Sequence, residues 1–222
     1  TDGRRILDGI SSWWTSIHGH GHPRIAEAIA EQAKRLDHVM FAGFTHAPAV
    51  DLAEQLLDLA PAGYGKVFYS DCGSASIEVA MKLSYQARVQ RGETQRRRFA
   101  ALHNSYHGET LGALSVCGAD AYRELFSPLL VDVLYLPGPH VEDHAHAQLG
   151  EPEPLDAESF ARACALLDEH GHELTALVIE PLVQCAGKMT MTGSAYYEGI
   201  VRKAQSLGIH VIADEIAVGF GR

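Results

Sequence analysis

The chain has 222 residues, 46% of them hydrophobic, and a formal net charge of −10 at pH 7. That length suits one large domain, or one and a fraction, with a sizeable core, and the acidic balance argues against nucleic acid, whose protein partners are normally basic. No apolar run reaches the roughly 18 residues of a membrane span, and the four cysteines (Cys72, Cys117, Cys164, Cys185) show no CxxC pairing, which suits neither a zinc site nor a disulfide framework and makes a reducing cytoplasm the default compartment.

In chain order, His18, His20 and His22 alternate ahead of the first helix without acids or cysteines at ligand spacing, so they read as a turn segment rather than a metal site. Ile25, Ala28, Ile29, Ala33 and Leu36 recur at helical spacing and predict an amphipathic helix over 24–36, opened by Pro23. Leu52, Ala53, Leu56 and Leu57 predict a second over 49–59. "KVFYS" (66–70) reads as a strand, followed by "DCGSAS" and a helix with Ile77, Ala80, Met81 and Ala87 on one face. The basic run Arg96-Arg97-Arg98 reads as a solvated loop. "RFAALH" (98–103) and "VDVLYL" (131–136) are strands. The polar, Pro- and Gly-rich stretch 137–154, carrying His140, His144 and His146, reads as a long surface connection. A helix over 156–169, strand "ALVIEP" (176–181), a helix over 196–206 and strand "IHVIADE" (209–215) follow.

Strands alternating with helices of this length predict an α/β fold with a mostly parallel sheet flanked by helices. In such sheets ligands collect beyond the carboxyl ends of the strands. That rule selects Asp71, Gly73 and Ser74; Asn104, Ser105, Tyr106, His107 and Gly108; Pro181 and Gln184; and Asp214 and Glu215. Gly73-Ser74 opens a helix, where free N–H groups and the positive dipole end favour an anion, although a serine there also serves as a plain N-cap with no ligand. No GK[ST] or GxGxxG follows. Tyr106 suits stacking on a planar ligand or simple packing. Asp214, at the tip of an apolar strand, needs a cationic partner because an unpaired buried carboxylate is costly. A phosphate cradle, a ring and a buried acid together fit pyridoxal 5′-phosphate, whose pyridinium the acid would hold protonated.

Four stretches, "DCGSASIEVAMKLS", "NSYHGETLGALSV", "VIEPLVQCAG" and "IADEIAVGFGR", resemble the class III aminotransferases of fold type I in sequence and order. The resemblance implies a homodimeric pyridoxal-phosphate enzyme, with 1–45 an N-terminal segment contributing to the active site and 46–222 an incomplete cofactor-binding large domain. "DGISSWWTSIHGHGHPRIAEAI" and "HVMFAGFTHAPAVDLAEQL", with the tandem Trp13-Trp14, narrow it to one branch. That branch passes an amino group from S-adenosylmethionine to 8-amino-7-oxononanoate in biotin biosynthesis. A member acting on ornithine, 4-aminobutyrate or β-alanine, or a non-catalytic domain of the same fold, is the alternative. Carried over by position, Gly73 and Ser74 take the phosphate, Tyr106 and His107 lie beside the cofactor, and Asp214 meets the pyridine nitrogen. Ile216 packs on the opposite ring face, Tyr106, Trp13 and Trp14 face the substrate, and Glu180, Gln184 and Arg222 lend support. No metal is implied. Cys185 stands where the family has glycine, and Val218 where it has threonine. The family's Schiff-base lysine follows the aspartate, whereas Lys34, Lys66, Lys82, Lys188 and Lys203 all precede Asp214. The resemblance therefore places that lysine beyond Arg222 and makes this chain a piece of a longer protein.

Overall fold

A computed structural model describes residues 2–139 and 157–221. His140, His144 and His146, most of the predicted connection and Arg222 lie outside the described residues. The chain divides into two compact units, Thr1–Tyr69 and Ser70–Arg222.

The first unit contains the short turn α1 (Ser11–Trp14) and helices α2 (Pro23–Arg35) and α3 (Ala47–Leu59). The two helices fall within a residue or two of their predicted spans. Each has proline in its first turn, where the missing N–H costs nothing. The α1 segment was not foreseen. Four successive residues there have positive φ, 49° at Ser11, 47° at Ser12, 59° at Trp13 and 63° at Trp14. Left-handed backbone costs an L-residue about 1–2 kcal/mol, so such a turn needs ties. Asp8 supplies them, accepting the Ser12 N–H at 3.0 Å and the Ser12 hydroxyl at 2.7 Å. The two indoles meet edge to face, centroids 6.1 Å apart at 77°, and do not point oppositely as an extended stretch would have them. The predicted strand over 66–70 forms no ladder among the described residues. Tyr69 instead donates its hydroxyl to Ala49 O at 2.6 Å and stacks on Phe41. No described residue of this unit is buried. The apolar stripe of α2 lines an open groove of about 790 Å³, with Ile25, Ala28, Ile29 and Leu36 along it and His18 and His22 at one end.

The second unit is a four-stranded parallel sheet in the order β2-β1-β3-β6, formed by β1 (Arg98–Leu102), β2 (Val133–Leu136), β3 (Leu174–Ile179) and β6 (His210–Ala213). Helices α4 (Gly73–Gln90), α6 (Ala157–His170) and α7 (Ser194–Ser206) flank it. Side chains alternate between the sheet faces, and each face builds its own core. One holds Leu102, Leu136, Leu167, Leu177, Tyr196 and Ile200; the other holds Ile77, Met81, Ala101, Ala113, Val116 and Val178. All six residues of β3 are buried, as expected of a strand covered on both faces. Each fully buried leucine contributes about 1.5–3 kcal/mol. The predicted α/β architecture is the one observed.

The arginine run needs correction. Arg96 donates to Gly171 O at 2.8 Å, Leu174 O at 3.1 Å and Leu207 O at 3.0 Å. Arg98 pairs with Asp132 at 2.7 Å and Glu173 at 2.6 Å. These two guanidiniums tie strand starts to loop carbonyls and acids, and only Arg97 is left exposed. Two short features also escaped prediction. Helix α5 (Leu111–Ser115) is held by Glu78, whose Oε1 accepts the N–H groups of Gly112 at 2.9 Å and Ala113 at 3.3 Å. The hairpin of β4 (Val183–Gln184) and β5 (Thr190–Met191) is clasped by Asn104, which donates to Gly187 O at 2.9 Å, and by Gln184, which donates to His103 O at 2.9 Å.

Candidate active site

The chain leaves β1 for β2 on one side and later returns to β3 on the other, so the strand order switches direction at the β1–β3 pair. Open α/β sheets bind ligands beyond the carboxyl ends of the strands at such a point. The residues there are 103–109 after β1, Glu180 after β3 and Asp214 after β6.

Asp214 continues the ladder by one bond, donating its N–H to Ile179 O at 2.8 Å. Its carboxylate Oδ2 lies 2.9 Å from His107 Nδ1, with side chains 9% and 0% exposed. Its Oδ1 accepts the Ile216 N–H at 3.2 Å. The cationic or donor partner that a buried acid requires is thus partly internal. With the His107 proton on Nδ1, as this contact assigns, the buried Nε2 has no partner among the described residues. The His107 backbone N–H donates to Cys117 Sγ at 3.0 Å, fixing the main chain that carries the imidazole.

Glu180 is 5% exposed, and both its oxygens accept backbone amides, Tyr106 N–H at 2.8 Å and Cys185 N–H at 3.2 Å. Burial pushes its carboxyl pKa up. Burial also pushes the Cys185 thiol up to about 11, with the charges of Glu180 and Asp214 adding to it. The turn at Cys185 is therefore tied through its backbone, whatever side chain it carries. Gln184 is buried and acts in the hairpin clasp described above.

At the start of α4 the N-cap is Cys72, not Ser74, and the first turn holds no acid. The amides of Gly73, Ser74 and Ala75 meet no acceptor among the described residues. An 18-residue helix with a bare N-terminus offers an anion both N–H groups and dipole. Ser74 Oγ accepts the Glu109 N–H at 3.1 Å, which leaves its own proton to donate outward. Gly108 makes this approach possible: its φ is +134°, and a Cβ there would lie 2.1 Å from Ser74 Oγ. Ile216 is 61% exposed, yet its Cδ1 would lie 3.7 Å from a Cβ at Gly73, so an apolar wall stands beside the helix start. Tyr106 donates its hydroxyl to Glu109 Oε1 at 2.8 Å and tilts against Tyr122 at 4.9 Å. Burial and the Glu109 carboxylate push its pKa up, so it stays a neutral donor.

The second unit thus brings Gly73, Ser74, Tyr106, His107, Glu180, Asp214 and Ile216 into one connected set. Among the other strand-end candidates, Ser105 turns its hydroxyl inward to Leu102 O at 2.8 Å, and Asp71 and Glu215 are exposed. Trp13 and Trp14 belong to the first unit. Sequence reasoning missed Glu109 and Cys117. Glu109 stands inside the quoted "NSYHGET", three residues after Tyr106, and that spacing was the available signal. Cys117 carried none, since its role appears only through a contact ten positions away.

Bare helix-start amides, a serine hydroxyl beside them and an acid at a strand tip make a donor set suited to a phosphorylated, protonated heteroaromatic ring. Residues 1–222 match the family described as aminotransferase class-III. The chain belongs to the class-III aminotransferases. It is 41% identical to the adenosylmethionine-8-amino-7-oxononanoate aminotransferase of Nitratidesulfovibrio vulgaris, covering 100% of this chain and 41% of that one. The enzyme of the same name from Geobacter sulfurreducens is 39% identical, with 100% and 49% covered. The solved enzyme of that name from Methanocaldococcus jannaschii superposes with a TM-score of 0.89 at 31% identity, covering 99% of this chain and 47% of that one. A PLP-bound amine transaminase from an uncultivated Pseudomonas species gives 0.87 at 32% identity, with 100% and 50% covered. This class-III aminotransferase chain spans about half the length of the curated relatives it matches.

Proposed function

We propose that the whole protein is a pyridoxal 5′-phosphate-dependent aminotransferase carrying an amino group from S-adenosylmethionine to 8-amino-7-oxononanoate, and that it acts in the cytoplasm as a homodimer. The observation that carries the reading is the pair of half-buried Asp214 and buried His107 at the strand tip, in the same connected set as the bare start of α4. The amides of Gly73 and Ser74 and the Ser74 hydroxyl take the phosphate. Asp214 accepts the ring N–H, and His107, bonded to its Oδ2, holds the carboxylate in place. Ile216 and Tyr106 supply apolar and aromatic surface to the ring, and the Tyr106–Glu109 pair presents a hydroxyl oxygen and a carboxylate, both acceptors, to an aminated substrate. Trp13 and Trp14 contact the substrate. When bound, the cofactor supplies an electron sink for carbanion chemistry at the carbon bearing the amino group. Every lysine of this chain precedes Asp214, and the lysine nucleophile lies in the part of the relatives' length that this chain does not span. Curated relatives 34–41% identical over the chain carry the corresponding name, which supports this substrate pair.

A second reading, a class-III transaminase with a different amine donor, draws on the likeness to the amine transaminase at a TM-score of 0.87. The full-length protein, loaded with pyridoxal phosphate and given 8-amino-7-oxononanoate, decides between them. We expect mass spectrometry to find 7,8-diaminononanoate with S-adenosylmethionine as donor and not with ornithine, 4-aminobutyrate or β-alanine. Turnover with one of the latter and none with S-adenosylmethionine overturns the first reading.

A further inference from the structure

The Asp8 carboxylate is the hub of the N-terminal unit's most strained segment. Its Oδ1 accepts the Ser12 N–H at 3.0 Å. Its Oδ2 accepts the Ser12 hydroxyl at 2.7 Å and lies 2.7 Å from His20 Nε2, which is itself 3.5 Å from Ser12 Oγ. Those bonds, the Ser12 amide first among them, hold the Asp8 carboxyl well below the usual carboxylate range. Further ties on the turn include backbone bonds, Ser11 N–H to Asp8 O at 3.4 Å, Trp14 N–H to Ile10 O at 3.1 Å and Ser16 N–H to Ser11 O at 2.8 Å, and the Thr15 hydroxyl on Trp13 O at 3.4 Å. Left-handed backbone at Ser12 and Trp13 (φ 47°, ψ 59° and φ 59°, ψ 54°) is disfavoured for both residue types. A side-chain ligand that reads Ser12 twice and His20 once offsets part of that cost. The indoles of Trp13 and Trp14 project from it, and Trp13 is 74% exposed, so its own packing does little to fix it.

We propose that Asp8 is a positioning residue: by clamping Ser12 and His20 it holds the Trp13–Trp14 pair in its edge-to-face pose and so sets the affinity for the amino donor. The second half rests on the functional reading above, in which the indoles touch substrate; the first half does not. Without Asp8 the turn relaxes to right-handed or extended backbone, the indoles separate, and the donor loses an aromatic wall while the cofactor's residues, all in the other unit, are untouched.

The test uses the full-length, cofactor-loaded enzyme labelled with fluorotryptophan. Fluorine NMR resonances are assigned through Trp13→Phe and Trp14→Phe, and Asp8→Ala and Asp8→Asn are compared with the wild type. In Asp8→Ala we expect both indole resonances to move, KM for the amino donor to rise about tenfold, and kcat and cofactor absorbance to change less than about twofold. Asp8→Asn, which keeps one acceptor for Ser12 and loses the charge facing His20, should fall between, and it carries the test should the alanine variant not fold. Unmoved indole resonances in both variants overturn the proposal, as do moved resonances with an unchanged donor KM. A wild type inactive with every donor sinks the functional reading alone, and the resonances still decide whether Asp8 sets the indole pair.

Discussion

The two units of this chain are built from the same kinds of sequence and end in opposite states. In the second, amphipathic helices close on a sheet, and side chains such as Leu102, Leu167 and Leu177 reach 0% exposure. In the first, α2 and α3 carry equally regular apolar stripes, yet Ile25, Ile29 and Leu52 remain 46%, 65% and 47% exposed. Periodicity states which face of a helix is apolar; it does not state what covers that face. The candidate site's acid, imidazole and helix start are held by the second unit's packed core, whereas the first unit's indole pair stands on a left-handed turn tied by the Asp8 carboxylate and backbone bonds.

The most direct way to break the comparison is to remove apolar volume from each unit. Leu177→Ala should cost the 222-residue chain up to about 5 kcal/mol in urea unfolding, since it opens a cavity in a closed core. Ile29→Ala should stay within about 0.5 kcal/mol, as surface changes do. Equal losses would mean that the α2 face is packed in solution. Within the second unit, Asp214→Asn in the full-length enzyme should cost about 3–4 kcal/mol of transition-state stabilisation, several hundredfold in turnover, while the cofactor still binds. Near-native turnover would remove Asp214 from the chemistry. Gly108→Ala sharpens the same point. A methyl 2.1 Å from Ser74 Oγ at a φ of +134° should weaken cofactor binding by about 1–3 kcal/mol, read by titration of the apoenzyme. An unchanged dissociation constant would detach Ser74 from the phosphate. The smallest effect is a rate order among thiols. Alkylation at pH 8 should reach exposed Cys72 first. The Cys185 thiol, raised to about 11, is almost wholly protonated there and gains reactivity about tenfold per pH unit up to that value. Cys185 labelling as fast as Cys72 at pH 8 would contradict its burial.

Much of the second unit was legible because its strands are continuous apolar runs and its helices repeat with a 3.6-residue period. The same rule that found the strands found Gly73, Ser74, Tyr106, His107 and Asp214, since each stands directly after a strand or opens a helix. What escaped depends on partners distant in sequence. The two-residue strands β4 and β5 exist because Asn104 and Gln184 clasp them to the end of β1. Arg96 and Arg98 look like a solvated run until loop carbonyls and acids some 75 positions away meet them. The stretch 66–70 has strand composition, but a strand is a ladder, and composition supplies only one rail. The left-handed turn at Ser11–Trp14 escaped for another reason: neither serine nor tryptophan favours it, and the carboxylate that grips Ser12 belongs to Asp8, four positions earlier.

The order β2-β1-β3-β6 also bears on the growing polypeptide. Among the described strands β1 is one of the two interior ones and the earliest in sequence, and both its neighbours lie downstream. Between Leu102 and Leu136 a ribosome working at roughly 5–20 residues per second needs about 2–7 s. For that interval the run Phe99-Ala100-Ala101-Leu102 waits for its partner among the described strands, and β3 and β6 come later still. Of the described strands, β1 is thus the one whose backbone N–H and C=O groups stay unpaired longest during synthesis.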